Sequence, residues 1–389
     1  MLSGALMILI VLLNQSKILA KTYESCHTPR GEEGECIAIR ECGGLYTLLG
    51  VMPLPHAYGE YLKKSHCGFI GKIPKVCCSK DDITPRAAKK TQNITETDDE
   101  VPILTRSNLP KNDECGTYVE RKIYGGESAE LDEFPWMALL IYELPSHVSG
   151  YGCGGTLISK RYVLTAAHCL KGKDLNKLWK LVAVRLGEYN KDSDRDCFHN
   201  GFAEECLKTP PINILVEERI PHELYDPFDH SQKHDIALLR LKQDVIFNNY
   251  IIPICLPLHD TERNKTYIDK NLVVAGWGQT EKNNFSSSIK LKVRVPVKSN
   301  DDCNEIYKKA SVRISTRQLC AGGEKNKNSC KGDSGGSLMT VGLNENGDPS
   351  WYAAGIVSFG TEKCGKEGWP AVYTRVSKYL GWIFRNMKP

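Results

Sequence analysis

Short runs of β-branched and aromatic residues recur along the chain between Cys115 and Pro389. Clusters of Gly, Pro and Asn separate these runs, which predicts strands joined by turns and not alternating strands and helices. We therefore predict an all-β barrel or sandwich for this region. The tail VSKYLGWIFRNM places apolar residues at helical spacing and predicts one closing helix. The strand-like runs are PWMALLIYEL, GGTLISKRYVLTAA, KLVAVRLGEY, DIALLRL, NLVVAGWG, LKVRVPV, YAAGIVSFG and AVYTRV.

The N-terminus carries an apolar run from about Ala5 to Leu13 and then a Leu-Ala pair that ends at Ala20. The run is too short for a helix to cross a hydrocarbon core of ~30 Å. It is typical of a signal peptide, here residues 1–20, and predicts a secreted, extracellular protein without a membrane span. A buried helix is the alternative interpretation.

Six of the sixteen cysteines lie between Cys26 and Cys78 and indicate a separate small domain over residues 26–78. A domain of about 53 residues has too little core, so cross-links must constrain its unfolded state. In a secreted chain the cysteines predict disulfides, and the paired CxxC knuckles of a thiolate metal site are missing from the sequence. Spacing alone leaves fifteen connectivities open for the six.

Residues 79–122 are polar, charged and proline-containing, which predicts an exposed linker and activation segment ahead of a domain over 123–389. A glycosylation sequon begins at Asn93 in this linker, and two more begin at Asn264 and Asn284. The net charge is only +4 and no basic stripe is visible, which argues against a nucleic-acid partner.

Three short motifs contain the residue types that acyl transfer by a serine requires. Ser334 in CKGDSGG is flanked by glycines, and the N–H groups of Gly332 and Ser334 can point at one oxyanion. His168 in LTAAHC can act as the base, and Asp235 in HDIALLRL can orient its imidazole. Taken singly, each motif has a structural alternative: a glycine-rich turn, a structural histidine and a strand cap.

In the order His, Asp, Ser, the motifs resemble those of the chymotrypsin family, and the resemblance extends from Cys115 to the C-terminus. It implies two six-stranded antiparallel β-barrels with the triad between them, and a serine endopeptidase that needs no cofactor for catalysis. It also implies that Ser358 supports Asp235 and that Ser358–Gly360 pairs with the substrate backbone. Ser337 replaces the usual proline after Ser-Gly-Gly. The implied disulfides are Cys153–Cys169, Cys303–Cys320 and Cys330–Cys364.

The N-terminal cysteines end in a doublet ahead of the linker and resemble a clip domain. The whole chain resembles arthropod clip-domain serine proteases of the easter-like and prophenoloxidase-activating group. This implies an immune or developmental cascade, a zymogen or cytokine precursor as substrate, and a serpin-type inhibitor. Docking and a passive spacer both stay open as roles of the clip domain, and a non-catalytic adaptor is the main alternative for the chain. The implied pairs are Cys26–Cys77, Cys36–Cys67 and Cys42–Cys78.

The segment RKIYGG, residues 121–126, resembles the activation junction of the family. We predict that a trypsin-like protease cuts between Lys122 and Ile123, and that the new α-amino group pairs with Asp333. A Cys115–Cys255 disulfide would keep the light chain attached. An exposed basic loop without this role is the alternative.

The loop from Glu188 to Asp196 is rich in oxygen atoms, and calcium takes about six to eight oxygen ligands. Related proteases bind calcium in this loop. We therefore predict a structural Ca²⁺ ion on the carboxylates of Glu188 and Asp196 and on backbone oxygens near Asn190 and Ser193. A Cys197–Cys206 disulfide would close the loop, and a solvated acidic loop is the alternative.

The primary specificity pocket departs from that of trypsin-like relatives. Asn328 stands six residues before Ser334, where those enzymes carry an aspartate. Ala371 replaces the usual glycine of one wall, and Gly360 leaves the entrance open. Burying an unpaired cation costs several kcal/mol, so we predict a neutral P1 side chain, medium-sized and apolar or amide-bearing. The alternative is that Glu367 supplies the charge and preserves a preference for Arg or Lys.

Overall fold

The computed structural model describes most of the chain, and its described residues fall into two compact units, one within Met1–Thr95 and one within Glu96–Pro389. The predicted signal peptide, Asn93 and the Lys122–Ile123 junction lie outside the described residues. The described residues are 24–29, 31–42, 45, 56–70, 73–79, 109–110, 114–117, 127–144, 149–173, 175, 178–193, 195–199, 204–280, 283–325, 327–361 and 364–388.

The first unit is a four-stranded antiparallel sheet with one helix. Its strands are β1 (Glu24–His27), β2 (Glu33–Ala38), β3 (His66–Ile70) and β4 (Ile73–Ser79), and α1 spans His56–Ser65. The strand order is β1-β2-β4-β3. The buried core is small, and three disulfides cross it: Cys26–Cys77, Cys36–Cys67 and Cys42–Cys78.

The second unit begins with a closed six-stranded antiparallel barrel. The strands in chain order are β5 (Glu127–Ser128), β6 (Met137–Glu143), β7 (Ser149–Leu157), β8 (Tyr162–Thr165), β9 (Lys180–Leu186), β10 (Cys197–His199), β11 (Glu204–Cys206), β12 (Ile212–Pro221) and β13 (Ala237–Leu241). The strand order in the barrel is β12-β13-β8-β7-β6-β9, and β10 and β11 form a separate hairpin. Burial alternates as a half-buried strand requires: in β12, Ile214 and Val216 are buried, whereas Leu215 and Glu217 are exposed.

A second six-stranded antiparallel barrel follows. The strands of this part of the chain are β14 (Asn271–Gly276), β15 (Gln279–Thr280), β16 (Asn283–Ser286), β17 (Leu291–Lys298), β18 (Gln318–Gly322), β19 (Ser337–Leu343), β20 (Pro349–Phe359) and β21 (Pro370–Arg375). The order in the barrel is β14-β19-β20-β21-β18-β17, and pairing of β17 with β14 closes it. β5 pairs with β17, and β15 and β16 form a small hairpin.

The remaining described helices are short, and the last of them closes the second unit. The periodic tail predicted one helix from Val376, but the structure has a separate 3₁₀ turn at Val376–Lys378 before α5 begins at Leu380. Tyr379 separates the two because its φ of −128° is not helical. None of the described helices is long and apolar enough to cross a membrane. The helices are α2 (His168–Lys171), α3 (Asp260–Arg263), α4 (Asn300–Tyr307) and α5 (Leu380–Asn386).

All sixteen cysteines are paired: six pairs are those that the resemblance implied, and the other two are those predicted with the activation segment and the calcium loop. Cys115–Cys255 joins the segment before the predicted activation junction to the chain that follows the first barrel. Cys197–Cys206 links β10 to β11. The other pairs of the second unit are Cys153–Cys169, Cys303–Cys320 and Cys330–Cys364.

Candidate active site

His168 and Asp235 lie on two neighbouring elements of the first barrel. His168 begins α2 directly after β8, and Asp235 comes just before β13, the strand that pairs with β8. The Nδ1 atom of His168 lies 2.7 Å from Oδ2 of Asp235, and the backbone N–H of His168 donates to Oδ1 at 2.8 Å. Because the fully buried carboxylate holds Nδ1, the Nε2 nitrogen of His168 is left to act as the base.

Two side chains of the second barrel also hold Asp235. The Ser358 hydroxyl on β20 donates to Oδ2 of Asp235 at 2.5 Å. The Thr374 hydroxyl on β21 donates to the backbone oxygen of Asp235 at 2.7 Å. The two barrels therefore meet at this carboxylate. Ser358 was named from the sequence, but Thr374 was not, because a threonine inside a strand gives no distinguishing signal.

Ser334 lies on a tight turn before β19. Two backbone hydrogen bonds of 2.9 Å, from Asp333 N to the Cys330 oxygen and from Gly336 N to the Asp333 oxygen, fold this turn. The turn requires left-handed backbone at Gly332, where φ is 101°. Among the described residues, the N–H groups of Gly332 and Ser334 have no hydrogen-bond acceptor. They are therefore available to a substrate oxygen.

The serine turn packs directly against the element that carries His168. The Ser334 carbonyl accepts a hydrogen bond of 2.7 Å from the N–H of Gly154 on β7, and it lies 3.7 Å from the sulfur of Cys169. Gly335 must be glycine, since a Cβ atom there would lie 2.2 Å from the Thr165 hydroxyl. These contacts bring the nucleophile candidate to the base candidate across the barrel interface.

Asp333 lines a cavity of about 370 Å³ beside the serine turn. Its carboxylate accepts hydrogen bonds from the N–H groups of Gly278 at 2.8 Å and Cys330 at 2.9 Å. Burial raises the pKa of Asp333 to about 6, although these two hydrogen bonds act in the opposite direction. The sequence did not single out Gly276 and Gly278, yet a Cβ atom on either would overlap the Asp333 carboxylate.

Two of the predicted specificity residues, Gly360 and Ala371, lie close together, whereas Asn328 lines the cavity that also contains Asp333. Ala371 is buried on β21, and a Cβ atom built on Gly360 would lie 3.7 Å from its methyl group, so these two residues face each other. The Asn328 side chain turns back on its own backbone, where Oδ1 accepts from the N–H of Ser329 at 3.0 Å. Glu367 is exposed on the turn before β21.

The loop predicted to bind calcium buries two carboxylates together. Glu188 and Asp196 are only 2% and 1% exposed. The N–H of Tyr189 donates to both, at 2.9 Å each, and the N–H of Asn190 donates to Asp196 at 3.1 Å. The Arg185 guanidinium also donates to Glu188. Burial, together with the nearby charge of Glu188, raises the pKa of Asp196 to about 6.

Two buried carboxylates in contact fit a divalent cation, because the ion would neutralise their mutual repulsion. Asn190 and Ser193 belong to one turn of this loop, in which the Ser193 N–H donates to the Asn190 oxygen at 3.0 Å. The other described groups with clustered ligand atoms each contain two disulfide-bonded cysteines, which do not offer thiolates: Cys153, His168 and Cys169 in one, and Cys197, Glu204 and Cys206 in the other.

The two sequons of the second unit differ in what the structure describes. Asn264 is exposed directly after α3, where a glycan has room. The backbone of Asn284 belongs to β16, and its side chain lies outside the described part of the chain.

Comparison with known proteins covers both units. A family model described as Trypsin matches residues 123–383, and one described as Regulatory CLIP domain of proteinases matches residues 26–78. The chain is 40% identical over 362 residues to "Serine protease ea" of Drosophila melanogaster, covering 93% of this chain and 90% of the relative. It is 40% identical over 372 residues to "Phenoloxidase-activating factor 1" of Holotrichia diomphalia, covering 95% of each.

Among solved structures, the crystal structure of the Drosophila Grass clip serine protease of the Toll pathway matches with a TM-score of 0.60 and 34% identity. The match covers 93% of this chain and 97% of that chain. The predicted fold of two six-stranded antiparallel barrels, a closing helix and a disulfide-rich N-terminal domain is thus confirmed. The chain belongs to the trypsin family of serine endopeptidases and, within it, to the clip-domain serine proteases.

Proposed function

We propose that this endopeptidase is a secreted zymogen that acts by limited proteolysis in an extracellular immune or developmental cascade. The names of two similar proteins, a phenoloxidase-activating factor and a protease of the Toll pathway, support a role of this kind. Its substrate would be another protein, either a zymogen or a cytokine precursor, and a serpin-type inhibitor would limit its activity.

The hydrogen bonds around Asp235 are the observation that supports the catalytic roles best. Asp235 holds His168 with Nδ1 as the donor, so that Nε2 takes the proton when the Ser334 hydroxyl attacks the scissile carbonyl. The N–H groups of Gly332 and Ser334 stabilise the oxyanion. The imidazolium then protonates the leaving amine, and water releases the acyl group from Ser334 by the same route. Ser358–Gly360 pairs with the substrate backbone.

A fluorophosphonate probe tests these roles because it reacts with an activated serine and with few other groups. The cleaved protein should take up one probe, and peptide mass spectrometry should locate it on Ser334. The variant Ser334→Ala should take up none. A non-catalytic adaptor would take up no probe in either protein.

Activation would follow a cut between Lys122 and Ile123. The cavity beside Asp333 supports this proposal, since its walls are apolar at Val274, Leu291 and Val293 and its one buried acid is Asp333 among the described lining residues. Such a cavity suits an isoleucine side chain and its α-ammonium group, which would restore the charge of Asp333. The light chain would stay bound through Cys115–Cys255.

The specificity pocket would accept a neutral P1 side chain. Asn328 provides an amide where a cationic substrate needs a carboxylate, and the Ala371 methyl group narrows the space opposite Gly360. The exposure of Glu367 argues against its acting at the pocket floor. Leu, Phe, Tyr, His and Asn are the candidate P1 residues.

A structural calcium ion would bind between Glu188 and Asp196, with backbone oxygens near Asn190 and Ser193 as further ligands. The burial of both carboxylates supports this proposal. The ion would supply charge neutralisation and no step of the reaction. Arg185, which already donates to Glu188, would keep one oxygen of that carboxylate.

A further inference from the structure

His234, the residue before Asp235, adopts the left-handed backbone conformation with a φ of 59°. Non-glycine residues seldom do so, and Asn, Asp and His are the types that tolerate it best. The carbonyl of His234 accepts a hydrogen bond of 2.8 Å from the N–H of Ile236, so the chain turns sharply around Asp235. The conformation of His234 therefore determines the direction in which the Asp235 side chain leaves the backbone.

The imidazole of His234 is held by elements on two sides. It stacks on the ring of His222, which follows β12, with centroids 4.8 Å apart and an interplanar angle of 22°. Its Nδ1 atom lies 3.2 Å from the hydroxyl of Tyr379, which precedes α5. His222 stacks in turn on Trp382 of α5 at 5.1 Å, and Tyr379 packs edge-on against both histidines. The rings of His234, His222 and Trp382 therefore form one continuous stack.

His222 contacts both chain neighbours of Asp235, which are His234 and Ile236. Its ring supports His234, and its backbone N–H donates to the carbonyl of Ile236 at 2.9 Å. The Nδ1 atom of His222 accepts a hydrogen bond of 3.1 Å from the N–H of Leu224, which fixes the orientation of the ring. A ring that is held in this way and is only 2% exposed supports the residues on either side of the Asp235 carboxylate.

We propose that His234 is a positioning residue of the catalytic triad. Its ring, held by His222 and Tyr379, places the Asp235 carboxylate so that the 2.7 Å contact with His168 forms. The inference rests on the proposed role of Asp235. The pocket residues Asn328 and Ala371 belong to the other barrel, so loss of the His234 ring should slow turnover and leave substrate binding unchanged.

The test compares variants of the full chain after activation. His234→Ala should lower kcat about ten- to hundredfold, because small misplacements of a catalytic group have effects of that size, with KM within about twofold of wild type. His234→Asn keeps the left-handed preference without the ring and should recover only part of kcat. His230→Ala, at an exposed histidine on the same loop, is the matched control and should leave kcat unchanged.

Proton NMR adds a measurement that a loss of folded protein would not mimic. The deshielded proton of the His168–Asp235 hydrogen bond should shift or broaden in His234→Ala and stay unchanged in His230→Ala. If His234→Ala does not fold, Tyr379→Phe removes only the hydroxyl contact and should still lower kcat and perturb this resonance.

Three results would overturn the proposal: kcat of His234→Ala within about twofold of wild type, full recovery by His234→Asn, or a reduced kcat with an unchanged resonance. Asp235→Asn separates this failure from a failure of the proposed function. A fully active Asp235→Asn variant would refute the triad itself, whereas an inactive one together with an active His234→Ala would refute only the positioning role.

Discussion

Asp235 and Asp333 are both aspartates of the active-site region, but their surroundings differ. Asp235 is fully buried, and hydrogen bonds from His168, Ser358 and Thr374 reach its two carboxylate oxygens and its carbonyl. The described hydrogen bonds to the Asp333 carboxylate come from two backbone N–H groups. Beside it lies a cavity of about 370 Å³, and its pKa is raised to about 6.

Under the proposed activation, this difference would separate the part of the site that folding completes from the part that a proteolytic cut adds. The first barrel and two strands of the second assemble the His168–Asp235 pair in the folded chain. Asp333 has instead a space and an unfavourable environment for its charge, both of which suit the arrival of a cation. We therefore propose that the catalytic base is oriented before activation, whereas the oxyanion-binding turn next to Asp333 depends on a new partner.

Replacing the orienting carboxylate should have the largest effect. In the activated enzyme, Asp235→Asn should lower kcat about 10⁴-fold, since the amide stabilises the wrong tautomer of His168. Single-turnover kinetics on a peptide substrate would measure the loss, and circular dichroism would control for folding. Activity within tenfold of wild type would show that Asp235 does not orient the base.

We expect the next largest effect from replacing Asn328 in the specificity pocket. Asn328→Asp should raise kcat/KM for Arg and Lys at P1 by about 10²- to 10⁴-fold, because a buried carboxylate then pairs with the cation. Matched peptides with Arg, Lys, Leu, Phe and Asn at P1 would measure it, with Glu367→Gln as the control variant. A wild-type preference for Arg that Glu367→Gln abolishes would show that Glu367 supplies the charge.

Replacing Asp333 tests directly whether this carboxylate needs the new α-ammonium group as its partner. Asp333→Asn should leave cleavage at Lys122–Ile123 intact but reduce the activity of the cleaved enzyme by about 10²- to 10³-fold. Breaking a buried ion pair costs about 3–5 kcal/mol, and each 1.4 kcal/mol is about tenfold in rate. Peptide hydrolysis with active-site titration would measure the loss of activity. Equal activity of variant and wild type would refute the proposed ion pair between Asp333 and the α-ammonium group of Ile123.

The uncleaved chain should show the cost of the unpaired Asp333 charge as a pH dependence. Its pKa is raised from 3.8 to about 6 in the folded chain, so the folded state binds the proton more tightly than the unfolded state. The resulting stabilisation is complete below pH 4 and is lost as the pH rises to about 6. Urea midpoints of Lys122→Gln should therefore fall over this interval relative to the double variant with Asp333→Asn. If the urea midpoints of the two variants changed in parallel with pH, the raised pKa of Asp333 would be contradicted.

The smallest effect concerns the calcium loop. Ca²⁺ at about five times its Kd should stabilise the full chain by about 1 kcal/mol and raise its Tm by about 2–4 °C. Asp196→Asn should abolish the increase, and Mg²⁺ should not reproduce it. Calorimetry that detects no heat of binding at millimolar Ca²⁺ would refute the site.

The sequence predicted those parts of the site that short motifs mark. His168, Asp235 and Ser334 were found in this way, and the periodic tail predicted α5 up to the break at Tyr379. Strand patterns left barrel and sandwich open, because the choice depends on pairings such as β14 with β19 that are distant in sequence. Cysteine spacing could not choose among the connectivities of the N-terminal domain, so its three disulfide pairs came from the resemblance alone.

Other functional residues gave no local signal because tertiary neighbours create their roles. Thr374 is an ordinary strand threonine until β21 lies beside Asp235. Gly276 and Gly278 matter only because the Asp333 carboxylate lies where their side chains would be. His234 has no distinctive composition around it, and its importance comes from the rings of His222 and Tyr379.

The rate at which a fluorophosphonate labels Ser334 before and after activation tests the central claim most directly. The single chain, kept uncut by Lys122→Gln, should react at least about 10²-fold more slowly than wild type cleaved to give the N-terminus Ile-Tyr-Gly-Gly, because only the cleaved form has the partner of Asp333. Equal rates in the two forms, or an increase that follows a cut at another bond, would contradict the account.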